Sequence, residues 1–314
     1  MKQSAVRVVA PTERTLQELV DLKRGRTISV CLPARNEQGT VGPIVSAIFD
    51  TLVARQGAAL VDELFVFDDG SSDATPQIAA SAGATVIPVS SILRSEGPGK
   101  GKGNVLYRTV AASTGDIIVW CDTDLTSFTP DYITRLVAPM LEDDSIDMVK
   151  GFYVRPIDQQ GQGGGRTTEL VARPLLSIFF PPLASIRQPL GGECAAHRRL
   201  LERLPFIESY GVESALLIDT MESVGTSRMV QVDLGVRQHR HRTLVQLSDQ
   251  AAEIMTVVLD RAGMKIPDPL PPLLNVEGEV HPIQVRERRP LVDVPEYGAH
   301  RRRRPSSSGL VLDV

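Results

Sequence analysis

Short apolar runs alternate with amphipathic stretches through the first half of the chain. Residues 27–33, 63–68, 85–89, 117–121 and 148–153 are too short for buried helices and are bounded by turn residues, so they predict buried strands. Pro33 is expected to stop the first of them. Between the runs, 41–55, 74–82, 105–113 and 132–142 read as helices, with Thr40 where a cap belongs. An earlier amphipathic stretch, 15–22, sits in a leader spanning 1–26. Strands and helices in this alternation predict βαβ units and an α/β fold with a mainly parallel sheet over 27–155.

A different rhythm follows over 156–262. A glycine-rich loop, 159–165, enters a helix at 166–176, and Pro181-Pro182 breaks the chain. Residues 188–196 form a loop with a strand-like tail, followed by a short helix at 198–204, a helix at 212–224, a strand at 229–234 and a helix at 246–262. Beyond Gly263 the pattern stops: a proline-rich 266–273, then Arg286-Glu287-Arg288-Arg289 and Arg301-Arg302-Arg303-Arg304, make 263–314 a loop, arm or disordered tail.

Composition narrows the picture. At 314 residues with 42% hydrophobic content, the chain can build one large α/β domain with a smaller C-terminal part. Its net charge of −4 offers no general attraction to nucleic acid, so any phosphate site must be local. Cys31, Cys121 and Cys194 lack metal spacing or a disulfide framework, which fits a reducing cytoplasm. The start carries no apolar leader, and no stretch approaches the ~20 apolar residues that span a bilayer. A soluble cytoplasmic protein with no membrane partner is expected.

The candidate chemistry begins at Asp122-Thr123-Asp124, directly after the 117–121 run. Open α/β sheets bind ligands outside the carboxyl ends of their strands. Two carboxylates there repel each other unless a cation shares them, and a hard ion such as Mg²⁺ or Mn²⁺ holding phosphate oxygens is the natural partner. A bare Asp-x-Asp also suits an ordinary turn. Other features have equally plain structural readings. Asp68-Asp69 and Glu37 suit turns, and Lys102 among glycines suits a solvated loop. His239, flanked by Arg237 and Arg240, suits surface charge, although imidazole is a common metal ligand.

As a set they say more. Pro33-Ala34-Arg35-Asn36-Glu37, Asp68-Asp69-Gly70-Ser71-Ser72-Asp73 and Asp122-Thr123-Asp124 end three successive strands and resemble the nucleotide-sugar half of GT-A glycosyltransferases. The stretches 163–176, 188–193, 210–213, 216–220 and 234–240 are similar to those of the retaining glucosyl-3-phosphoglycerate synthase and mannosyl-3-phosphoglycerate synthase family. The resemblance implies a GT-A, Rossmann-like sheet binding the donor over 27–155, with acceptor binding and metal completion over 156–262.

It also implies residue roles. Pro33, Ala34, Arg35, Glu37, Asp69, Lys102, Asp122 and Thr123 would hold the nucleoside diphosphate sugar, while Asp124 and His239 would bind Mg²⁺ or Mn²⁺. Gly165, Arg166, Thr168 and His241 would hold the acceptor, D-3-phosphoglycerate. A glycine-rich helix start and an arginine suit that anion. Glu213, Arg237 and Asp122 would serve the chemistry at the sugar. The implied reaction transfers a hexose to the acceptor's 2-hydroxyl with retention, for compatible-solute or polysaccharide-precursor synthesis. No clear covalent nucleophile stands out, so front-face attack is favoured over a double displacement on Glu213.

His241, where relatives often carry Asn, a longer lysine loop and Asp69 depart from the family pattern. GDP-mannose, GDP-glucose and UDP-glucose therefore stay open as donors. The arginine-rich tail suggests an exchange arm in a homodimer. Two rival readings are a sugar-1-phosphate nucleotidyltransferase and a non-catalytic nucleotide-sugar binding module.

Overall fold

The structure, a computed structural model, describes residues 4–54, 59–154, 156–157, 161–162, 165–237, 244–274 and 278–298. Its strands are β1 (Arg7–Val9), β2 (Ile28–Ala34), β3 (Glu63–Asp68), β4 (Thr85–Pro88), β5 (Ile117–Trp120), β6 (Met148–Val154), β7 (Pro156–Ile157) and β8 (Gly161–Gln162). They continue with β9 (Cys194–His197), β10 (Phe206–Ile207), β11 (Met229–Val236), β12 (Leu273–Leu274), β13 (Val280–His281) and β14 (Glu287–Arg288). The helices are α1 (Leu16–Lys23), α2 (Val41–Ile48), α3 (Thr75–Ser81), α4 (Gly101–Ala112), α5 (Asp131–Glu142), α6 (Arg173–Phe179), α7 (Arg198–Leu201), α8 (Val212–Val224) and α9 (Leu244–Arg261).

Eight strands form one sheet in the order β1-β11-β6-β9-β5-β2-β3-β4. Every pairing is parallel except those of β9, which runs antiparallel to both β5 and β6. The mainly parallel α/β sheet expected from the sequence is therefore present, with one strand reversed inside it. Side chains alternate across the pleat. Along β5, Ile117 and Val119 enter one core with α2 and α5, while Ile118 and Trp120 enter the other with α4 and α8. Both faces are covered, which is why the strands read as near-continuous apolar runs.

Several local expectations shift. Pro33 does not stop β2, since Ala34 still pairs with Asp68. The leader contributes a strand as well as a helix: Val9 pairs in parallel with Val232, and α1 starts with a capping box in which Thr15 Oγ1 accepts from Glu18 N at 3.3 Å and Glu18 Oε2 accepts from Thr15 N at 2.7 Å. The helix expected from residue 105 begins at Gly101. The stretch from 166 widens into a π-turn over Thr168–Ala172 before α6, where Pro174 has no N–H to continue the ordinary ladder.

Of the loop, arm or disordered tail expected over 263–314, the part near 290 is an ordered arm. Residues 287–288 pair antiparallel with β10, and Leu291, Val294 and Tyr297 are buried in the α4–α8 core. Residues 287–298 are thus a strap folded onto the domain, and 275–277 and 299–314 lie outside the described residues. Among the described residues no helix is long and apolar enough to cross a membrane.

Candidate active site

Parallel pairing brings three strand ends level. Cys31 pairs with Trp120 and Ala34 with Asp68, so the segments after β2, β3 and β5 emerge side by side. Thr123, expected among the donor contacts, donates through Oγ1 to the Pro33 carbonyl at 2.7 Å and ties the acidic turn to β2. Asp122 and Asp124 project from that turn.

Lys102, on the first turn of α4, places its ammonium 2.6 Å from Asp122 Oδ1 and 2.9 Å from Glu213 Oε1. Glu213 is buried at the start of α8. Arg237, after β11, spans the other side. Its Nη2 lies 2.9 Å from Asp122 Oδ2 and 3.2 Å from Asp124 Oδ1. Its Nη1 donates to Glu193 Oε1 at 2.9 Å and to the Tyr153 hydroxyl at 2.7 Å. The guanidinium carbon stands 4.9 Å from the Tyr153 ring centroid. The structure thus joins Lys102, Asp122, Asp124, Glu213 and Arg237 in one network.

Burial opposes charge on Asp122 and Lys102, and ion pairing prevails over it. For Asp122, Lys102 and Arg237 outweigh burial and hold the carboxyl far below the usual carboxylate range. For Lys102, the pull of Asp122 and Glu213 outweighs burial, so the ammonium persists. Glu193 goes the other way: burial and neighbouring Asp122 push its carboxyl up against the pull of Arg237.

The residues expected on the nucleoside side end or follow β2 and β3. Arg35 Nη1 lies 3.7 Å from Asp69 Oδ2, and Asp69 N donates to Ala34 O at 2.9 Å. Burial raises the Asp69 carboxyl despite Arg35. Glu37 Oε2 accepts from Thr40 Oγ1 at 3.2 Å. Asp68 takes the plain role of a turn cap, accepting from Ser71 N at 3.3 Å. Of the residues expected on the acceptor side, Gly165 O accepts from Glu169 N at 3.0 Å, Arg166 is exposed and Thr168 is buried. His239 and His241 lie outside the described residues.

Sequence reasoning missed Glu193, Tyr153 and Lys150. Glu193 is fully buried, and Lys150 Nζ donates to the Gly191 carbonyl, fixing the loop before β9. The signal was the pair Gly191-Gly192 ahead of an acid. A Cβ on Gly192 would stand 2.1 Å from Asp122 Oδ1, so this loop forms a wall of the site.

The model of "Glycosyl transferase family 2" matches residues 29–206. The glucosyl-3-phosphoglycerate synthase of Mycolicibacterium smegmatis is 46% identical over 254 residues, 80% of this chain and 82% of that protein. The chain belongs to the glucosyl-3-phosphoglycerate synthase family of glycosyltransferases. A solved glucosyl-3-phosphoglycerate synthase from Mycobacterium tuberculosis, in complex with Mn²⁺, uridine-diphosphate-glucose and phosphoglyceric acid, matches with a TM-score of 0.80 at 40% identity, over 92% of this chain and 98% of that one. A complex of that synthase with Mg²⁺ and uridine-diphosphate gives a TM-score of 0.81 at 40% identity, over 91% and 98% of the two chains. Membership in this glycosyltransferase family carries the GT-A fold with it and sets aside the nucleotidyltransferase alternative.

The donor set suits a hard divalent ion of the kind those relatives hold. Among the described residues, four carboxylates, Asp122, Asp124, Glu193 and Glu213, share direct ion pairs with two cations, Lys102 and Arg237. The acidic oxygens of Asp122 and Asp124 already share one cation, the Arg237 guanidinium. Among the described residues no group of three His, Cys, Asp or Glu closes round an ion; the expected further ligand is His239.

Proposed function

We propose that this glycosyltransferase moves glucose from UDP-glucose to the 2-hydroxyl of D-3-phosphoglycerate, with retention, using Mg²⁺ or Mn²⁺. The observation that carries the reading is the Lys102–Asp122–Glu213–Arg237–Asp124 network at the converging strand ends. Its composition suits departure of a diphosphate, the step on which negative charge accumulates. Glucose and uracil are preferred to mannose and guanine because the relatives carry those groups.

Asp124 and His239 would hold the metal, which when bound offsets charge on the departing diphosphate. Lys102 supplies a fixed ammonium on the same side, kept protonated by Asp122 and Glu213. Arg35 and Asp69 face the nucleoside from β2 and β3, with Pro33, Ala34 and Glu37 beside them. Gly165, Arg166, Thr168 and His241 receive the phosphoglycerate.

Retention follows from front-face attack, the acceptor proton passing to the leaving diphosphate. Pairing of Glu213 with Lys102 supports this, because a carboxylate engaged by an ammonium is a weakened nucleophile. A homodimer belongs to the same proposal, to be checked by sedimentation. The test of the reaction is a panel of UDP-glucose, GDP-glucose and GDP-mannose incubated with D-3-phosphoglycerate, with the product read by NMR. An α-linked glucosyl product from UDP-glucose is expected; release of free glucose alone, or an inverted linkage, overturns the reading.

A further inference from the structure

The loop that delivers Lys102 is poor at holding itself. Gly97, Gly99, Gly101 and Gly103 punctuate it, and Gly97 and Gly101 adopt positive φ of 71° and 75°. Glycine confers little intrinsic preference for one conformation. Yet Lys102 must place one nitrogen between two carboxylates, so something outside the loop has to fix its backbone.

Two arginines share that restraint: Arg108, buried on α4, donates to Gly97 O at 2.6 Å and to Asn104 Oδ1 at 3.1 Å, and the C-terminal strap brings the second. Arg288, on β14 and only 3% exposed, donates through Nη1 to the Glu96 carbonyl and through Nη2 to Gly97 O at 3.5 Å and Asn104 Oδ1 at 3.4 Å. The strap thus reaches both ends of the glycine loop, reinforcing the acceptors that Arg108 holds and adding the Glu96 carbonyl. Its Nε pairs with Glu208 Oε1 at 2.6 Å, just past β10. Glu208 in turn accepts from Lys100 N at 3.4 Å through Oε2 and from Asn104 N at 2.9 Å through its carbonyl. Opposite, Gly103 sits so close to β10 that a Cβ would lie 1.7 Å from Ile207 O. The loop is therefore clamped between the strap and β10, with Lys102 projecting from the clamp toward Asp122 and Glu213.

We propose that Arg288 is a positioning residue for Lys102, so that the C-terminal strap sets the site's affinity for the diphosphate. This rests on the proposed role of Lys102 toward the leaving group. Leu291, Val294 and Tyr297 anchor the strap in the core independently, so a conservative change at Arg288 leaves the strap docked while loosening the loop. Lysine keeps the charge but loses the planar fork that spans several acceptors.

The test is a double-mutant cycle on the full chain, read by titrating UDP in the presence of Mn²⁺, with Arg288→Lys, Lys102→Ala and their combination. Arg288→Lys is expected to weaken UDP about tenfold, to raise the donor KM and to leave the phosphoglycerate KM in place. In the Lys102→Ala background it is expected to add nothing. Unchanged UDP affinity for Arg288→Lys, or an equal loss in both backgrounds, overturns the proposal. If Lys102→Ala itself keeps full UDP affinity, the reading of Lys102 fails instead. Should Arg288→Lys fail to fold, Glu208→Gln takes its place in the same cycle, with the same outcomes deciding.

Discussion

Gly192 has no room for a side chain, since an added Cβ would lie 2.1 Å from Asp122 Oδ1 and 2.6 Å from Lys102 Nζ. Gly192→Ala is therefore expected to displace the central ion pair and cut kcat by about 100-fold, the scale of a 1 Å misplacement at a reacting centre. Circular dichroism should show the fold retained, and a kcat within a factor of about two would contradict the placement. Glu193 presents the complementary case. Truncating it leaves the buried Arg237 Nη1 with Tyr153 as its hydrogen-bond partner. Removal of one member of a buried charge pair costs about 3–5 kcal/mol, so Glu193→Ala should shift the urea midpoint strongly. Glu193→Gln, which preserves the shape, should shift it less. The stretch 188–193 is legible in the sequence as a family-like segment, but the individual roles of Gly192 and Glu193 are not. The partners of Glu193 are contributed by β6 and the segment after β11, and no local spacing marks an acid whose function depends on chain so far away. Asp122, Lys102, Glu213 and Arg237 carry residue types whose chemistry a family pattern already implies, whereas a glutamate after two glycines implies none.

At the scale of elements, buried Asp147 ties the start of β6 to α7 and to the turn before β11, pairing with Arg199 at 3.0 Å and also with Arg228. Burial resists its charge, but the two arginines prevail and its carboxyl lies below the usual value. Its stabilising contribution is therefore complete above the unfolded carboxyl value of about 4 and fades as pH falls through the lower folded value. Asp147→Asn should flatten the acid limb of a Tm-against-pH curve below about pH 4; an unaltered limb would show that these pairs do not contribute. The sheet strands were visible because each is covered on both faces and reads as an apolar run. β1 escaped notice: it has three residues, and only Val9 among them is even half-buried. The strap escaped for a related reason. Its buried residues Leu291, Val294 and Tyr297 are diluted by charge, and β14 depends on pairing with a segment about 80 residues away. Leu291→Ala should cost about 2–5 kcal/mol in urea denaturation, whereas a solvated tail residue would cost almost nothing.

For the molecule as a whole, Trp120 is the single tryptophan, buried at the end of β5 with its Nε1 donating to Thr109 Oγ1 at 2.8 Å. Its fluorescence should follow global unfolding and, through mass action, the binding of nucleotide. UDP with Mn²⁺ at about 100 times its Kd should add about 2.7 kcal/mol to stability. That gain should largely disappear in Asp124→Ala; an undiminished gain would detach the metal from Asp124. The reversed strand β9 gives the molecule a further property. It enters the sheet from the ligand side, so Glu193 stands at the strand's beginning while Asp122 follows the end of its neighbour. Val119 opposes Ala195 and Trp120 opposes Cys194, and this alignment is what lets Glu193 reach Arg237. Inserting a single residue just before Cys194 would send the acid toward the opposite layer unless the loop absorbed it. Variation in length within this protein's descendants should accordingly be tolerated upstream of Gly191 and rejected in the few positions that follow.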